Sequence, residues 1–229
     1  MVGSVSDGTF DMSSSVTDER PAPLLPGQEW ANALTHGSAT LGAILFGWGL
    51  ATEAATQGTP LTVACVAYAL AVVGTFAAST LSHTIHRQPW LNTFRSWDQA
   101  MIYLMIAGTY TPIAVAYAPE AVLLPMLVTM WLAAWTGFFL KVFRRHRINA
   151  IGVISYLLLG WLPAIPLTGH VPGPVVSSMV TGGVLYTVGV AFLLNDRKVR
   201  YFHAVWHLFV IAAATVHFLA IRDRIVGGL

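Results

Sequence analysis

His203 and His207 stand four residues apart, the separation that places two side chains on one face of a helix. Two imidazoles so placed can hold one metal ion. Ser79 and His83 share the same separation, and a third imidazole from His83 would complete a three-histidine set. Zinc held by three protein ligands keeps a fourth position open, the arrangement of catalytic rather than structural sites. Water at such a position has its pKa lowered to about 7. Asp98 and Ser79 could hydrogen-bond that water or the ligands. Each residue also has a plainer reading. Buried histidines often bond neighbouring carbonyls. Asp98 could cap a helix or favour the dipole in its first turn, and Ser79 could bond a carbonyl of its own helix. His36 reads as a support or packing residue, or as a further ligand. His86, His146 and His170 fall in loops.

The elements that must carry these residues are membrane helices. Of 229 residues, 55% are hydrophobic and 10% charged, against about 25% charged in a soluble domain. The mean hydropathy of +0.65 agrees. A spanning helix needs about 20 mostly apolar residues. Seven such runs occur, near 36–56, 61–83, 99–118, 121–141, 149–168, 173–195 and 202–221. The expected fold is therefore an all-α polytopic bundle of seven transmembrane helices, spanning residues 29–229. Residues 1–28, with Ser13, Ser14, Ser15 and three prolines, read as a disordered cytoplasmic tail. They lack the basic segment and apolar core of a signal peptide. The net charge of +2 gives no reason to expect a nucleic-acid partner. The single cysteine, Cys65, excludes an intrachain disulfide and a cysteine-based zinc site.

Charge fixes an orientation. Arg87, Arg95, Lys141, Arg144, Arg145, Arg147, Arg197, Lys198 and Arg200 all fall in or beside the second, fourth and sixth loops, and the odd loops carry no lysine or arginine. The positive-inside rule puts the even loops and the amino terminus in the cytoplasm, and the carboxyl terminus outside. Arg222 and Arg224 after the last span run against this, partly offset by Asp223. With that orientation Asn32, His36, Ser79, His83, Asp98, His203 and His207 share one depth near the cytoplasmic face. His217, Glu53 and Glu120 fall toward the other face. Pro112, Pro125, Pro163 and Pro166 lie within spans and read as packing kinks.

These residues carry a resemblance. The stretches Glu29-Trp-Ala-Asn-Ala-Leu-Thr-His-Gly37, Ser79-Thr-Leu-Ser-His83, Asp98 followed by Ile106-Ala-Gly-Thr-Tyr-Thr-Pro112, and His203-Ala-Val-Trp-His207 occur in order. The chain resembles the hemolysin III branch of the progestin and adipoQ receptor family over nearly all of residues 29–220. The resemblance implies a seven-helix bundle with an intramembrane zinc ion (Zn2+) on His83, His203 and His207. Ser79 and Asp98 match the positions associated with the zinc-bound water. It also implies kinship with membrane hydrolases that look related to alkaline ceramidases. The long amino-terminal region of the eukaryotic receptors is absent, so a hormone-receptor role is not carried over.

Two functions follow as expectations. One is a zinc-dependent hydrolase of a lipid amide or ester, with Asp98 as general base and Ser79 positioning the water or stabilising the oxyanion. The other is a non-enzymatic sensor, receptor or channel with a structural zinc. Membrane lipids are the expected partners in both. The short loops and missing targeting segment suggest a bacterial inner membrane.

Overall fold

The computed structural model describes residues 26–144 and 150–228. Most of the tail expected over residues 1–28, and the loop residues Arg145, His146 and Arg147, lie outside the described residues. Among the described residues seven helices follow one another: α1 (Pro26–Ala54), α2 (Thr59–Thr84), α3 (Trp90–Tyr117), α4 (Glu120–Arg144), α5 (Ala150–Trp161), α6 (Gly173–Leu194) and α7 (Phe202–Ala220). A 3-10 segment, Leu162–Leu167, prolongs α5, and a π-helical turn, Ile221–Val226, prolongs α7.

Burial is inverted relative to a water-soluble protein. Trp48 is 74% exposed and Leu41 71%, whereas Asn32 and Ser79 are fully enclosed. Large apolar side chains on the outside and polar ones within are what a lipid environment selects. Helices α2, α3, α4, α6 and α7 with its π turn are each long and apolar enough to cross a membrane. Helix α1 has 29 residues but opens with Gln28, Glu29 and Asn32. Helix α5 has only 12 residues. The two prolines of the following segment, Pro163 and Pro166, remove the amide donors that would continue it as an α-helix. The all-α polytopic membrane bundle is thus the architecture found.

Short connections make sequence neighbours pack together. Gly58, at φ 109°, adopts a backbone conformation open chiefly to glycine and turns α1 into α2. The Thr62 hydroxyl donates back to Gly58 and Ala54 carbonyls across that turn. Helix α2 packs along α1 and α3, α3 along α4, and α6 along α7. Helix α7 then closes against α1. The turn entering α7 is held by α1 itself: the Tyr201 amide, on a residue at φ 64°, donates to Gln28 Oε1 at 3.1 Å. Helices α1, α2 and α7 therefore meet at the end of the bundle where α1 and α7 begin and α2 finishes.

Two helices begin well before the expected spans, α1 at Pro26 rather than near residue 36 and α3 by a similar margin. Helix α3 begins at Trp90, not near residue 99. Asp98 consequently sits in its third turn, and the readings of Asp98 as an N-cap or first-turn charge are ruled out. The segment before Asp98 contains Asn92, Arg95 and Trp97. A helix can begin at the polar membrane boundary, where an apolar count does not register it.

Candidate metal centre

His83 is in the last turn of α2, and His203 and His207 occupy the first two turns of α7. The three rings face one another. Centroids lie 5.0 Å apart for His83 and His203, 5.3 Å for His83 and His207, and 4.7 Å for His203 and His207. Each ring offers one nitrogen, and these nitrogens lie within 4.8 Å of one another.

The hydrogen bonds around the rings decide which nitrogen is offered. His83 Nδ1 is 2.6 Å from Glu29 Oε2, and His203 Nδ1 is 2.8 Å from Asp196 Oδ2. A carboxylate only accepts, so both Nδ1 atoms carry the proton. His207 Nδ1 lies 3.1 Å from Thr35 Oγ1. The Thr35 hydroxyl proton is directed at the carbonyls of Ala31 and Asn32, at 3.0 and 2.9 Å. Its oxygen therefore accepts from His207. All three neutral imidazoles are thereby set with the lone pair on Nε2. Among the described residues, the buried Nε2 atoms of His83 and His203 have no hydrogen-bond partner. Three converging imidazole lone pairs, each backed by an acceptor on the opposite nitrogen, suit a zinc ion. The residues present fit that metal.

The backing groups arrive from separate elements. Glu29 is in the first turn of α1, ahead of the apolar stretch, and Arg95 of α3 reaches it at 3.6 Å. Burial opposes ionisation of Glu29. Its hydrogen bond to His83 and the nearby Arg95 guanidinium work against burial, and the carboxyl is held below the usual carboxylate range. Asp196 lies between α6 and α7, with Arg197 Nε 3.8 Å away.

Ser79 lies one turn before His83 on α2, fully buried, and its Oγ has no partner among the described residues. The reading in which Ser79 bonds a carbonyl of its own helix does not hold. Ser82 does that instead: its Oγ is 2.9 Å from the Ser79 carbonyl and 3.1 Å from Asp98 Oδ2. Asp98 is thus tied to the α2 turn that carries Ser79 and His83. It is not one of the residues that offer converging ligand atoms. His36 is not among them either; it stacks on His207.

The remaining histidines stand apart. His217 is near the far end of α7, with its ring against Gly182 and Tyr186 of α6. His86 and His170 are exposed. An apolar cleft between α4 and the α5 region, lined by residues such as Met126, Met130, Leu158 and Leu162, includes none of the site residues.

Sequence reading missed Glu29, Thr35, Ser82 and Asp196 as supports. Glu29, Asn32 and His36 fall at i, i+3 and i+7 of α1, a polar stripe on one helical face that could have pointed to Glu29. Asp196 gave no such signal, because it sits in a charged connection.

Fold and site together define an integral membrane bundle with a buried three-histidine cluster able to hold a metal ion. Residues 26–218 match the Haemolysin-III related family, and the chain belongs to that family. It is 33% identical over 198 residues to "Hemolysin-3" of Bacillus cereus, covering 85% of this chain and 90% of that protein. It is 31% identical to the "Hemolysin-3 homolog" of Bacillus subtilis (strain 168), covering 85% and 92%. The human "Monocyte to macrophage differentiation factor" is 28% identical over 159 residues, 67% of either chain. No solved structure gives a significant match.

Proposed function

We propose that the chain is a zinc-dependent membrane hydrolase that cleaves an amide or ester bond in a lipid, a chemistry like that of ceramidases. The observation that carries this reading is the common tautomer of His83, His203 and His207, with a buried, unpartnered hydroxyl on Ser79 one turn away. A structural staple has no use for that hydroxyl; acyl transfer does.

His83, His203 and His207 would hold a zinc ion, which would supply Lewis acidity toward a carbonyl oxygen and toward water. The protein's own groups do the rest. Asp98 accepts the proton of the attacking water, and its bond to Ser82 holds the carboxylate for that task. The Ser79 hydroxyl donates to the oxygen that gains charge as the carbonyl carbon becomes tetrahedral. The acyl C–N or C–O bond then breaks, and Asp98 returns the proton to the departing amine or alcohol. The neighbouring bilayer supplies the substrate at the end of the bundle where α1 and α7 begin.

The test pairs metal analysis with lipid turnover. Purified protein should hold about one zinc per chain, and His83→Ala, His203→Ala and His207→Ala variants should lose it. Incubation with ceramides and lipid esters should release free fatty acid, read by mass spectrometry. A metal-replete protein that is inert toward every lipid class would leave the centre as a staple in a sensor, receptor or channel. The names of the bacterial relatives, which refer to lysis of red cells, favour asking next for ion flux in liposomes.

A further inference from the structure

Helix α1 contributes no ligand to the metal centre, yet it grips the rings that do. Glu29 holds His83 and Thr35 holds His207, each through Nδ1. Gln28 holds the turn from which α7 departs. A hydrogen bond to one nitrogen leaves a ring free to rotate about that contact. The face of His207 needs a second restraint, and α1 provides one.

His36 lies flat on His207. The ring centroids are 3.6 Å apart and the planes 11° from parallel. Behind it, Phe76 of α2 closes on His36 at 5.0 Å. His36 is 3% exposed and His207 1%. Neither nitrogen of His36 has a hydrogen-bond partner of ordinary geometry among the described residues, and the polar backbone group beside it belongs to His207 itself. In a parallel stack the ring nitrogens lie in the plane of His36 and do not point at His207. What His36 presents to its neighbour is a π face.

A face-to-face sandwich of two electron-rich rings is not the preferred aromatic geometry. It becomes favourable when one ring is drained of electron density, because the face of the other then attracts positive charge. A metal ion held by Nε2 would drain His207 in this way. From this geometry we infer that His36 is a positioning residue: its ring face fixes the plane of His207, so that the third ligand of the centre is aimed by α1. This role rests on the metal centre proposed above.

The test separates the ring from its nitrogens. His36→Phe keeps a π face and loses both nitrogens. His36→Gln keeps a hydrogen-bonding head and loses the ring, and His36→Ala loses both. Full-length protein in detergent is loaded with zinc, and affinity is read by chelator competition. Cobalt is loaded in parallel for its visible absorption bands, which report ligand geometry. His36→Ala and His36→Gln should weaken binding by about 10- to 100-fold and shift the cobalt bands. His36→Phe should stay within about threefold of the parent, with the bands in place. Parent affinity in His36→Ala overturns the role, as does a His36→Gln variant that restores binding where His36→Phe does not. Should His36→Phe fail to fold, the other two still decide, since an unchanged affinity in either contradicts a stack that aims the ligand. A parent protein that takes up no metal removes the centre itself; a metal-binding parent matched by His36→Ala removes this role alone.

Discussion

Glu29 Oε2 and His83 Nδ1 meet at 2.6 Å across 54 residues of sequence, which makes the opening turn of α1 part of the machinery at the end of α2. The carboxylate does two things to the ring. It fixes the tautomer, and it raises the electron density that Nε2 can offer a cation.

Removing that charge while keeping the shape takes away both effects at once. Glu29→Gln can still hydrogen-bond His83 but no longer demands a proton on Nδ1. Metal affinity should fall by about 10- to 100-fold. Chelator competition on the purified variant measures this, and an unchanged affinity would detach Glu29 from the centre. Asp196→Asn should act in the same direction through His203, whose Nδ1 it holds at 2.8 Å.

Asp98 should behave differently from both. It bonds Ser82 and offers no ligand atom to the cluster. Asp98→Asn should therefore retain bound metal while losing at least about 100-fold in turnover, the low end of what general acid–base catalysis contributes. Ser82→Ala should cost less, because it frees the carboxylate without removing it. Fatty-acid release alongside metal content gives both readings. An Asp98→Asn variant that hydrolyses a verified substrate at the parent rate would end the assignment of Asp98 as base.

Why the helices were legible and the supports were not follows from what each must satisfy. A span has to be apolar along its length, so runs such as 61–83 and 173–195 show in the sequence without help. His203 and His207 show because helix geometry ties spacing to face. Asp196 must only lie near His203, and nothing in a loop's composition encodes that. The early start of α3 stayed hidden for a related reason: from Trp90 to Trp97 the helix carries Asn92, Arg95 and Ser96, which an apolar search discards. The stack of His36 on His207 depends on how α1 crosses α7, a relation between distant segments.

The packing of α2 against α3 makes a stability prediction. A Cβ on Gly108 would lie 2.8 Å from the Ala71 Cβ and 3.3 Å from the Tyr68 Cα. Both are rigid points on α2, so no flexible side chain can yield. Gly108→Ala should force the helices apart and cost about 1–3 kcal/mol. Thermal unfolding in detergent should show a lower midpoint. An unchanged midpoint would mean that α2 and α3 approach less closely than described.

Orientation in the membrane rests on the nine lysines and arginines in or beside the even-numbered loops, and labelling can decide it. Cys65 is fully buried, so Cys65→Ala gives a background without a thiol. Gln57 lies exposed between α1 and α2, and Gln88 lies exposed between α2 and α3. In intact bacterial cells expressing the chain, a membrane-impermeant maleimide should modify Gln57→Cys and spare Gln88→Cys until the cells are opened. That pattern places the end of α2, and with it His83, at the cytoplasmic face. Arg222 and Arg224 near the carboxyl terminus pull the other way, but Arg222 is drawn to Glu53 at 3.6 Å, which weakens its vote. The reverse labelling would turn the bundle over, and substrate would then have to reach the histidines from the outer leaflet.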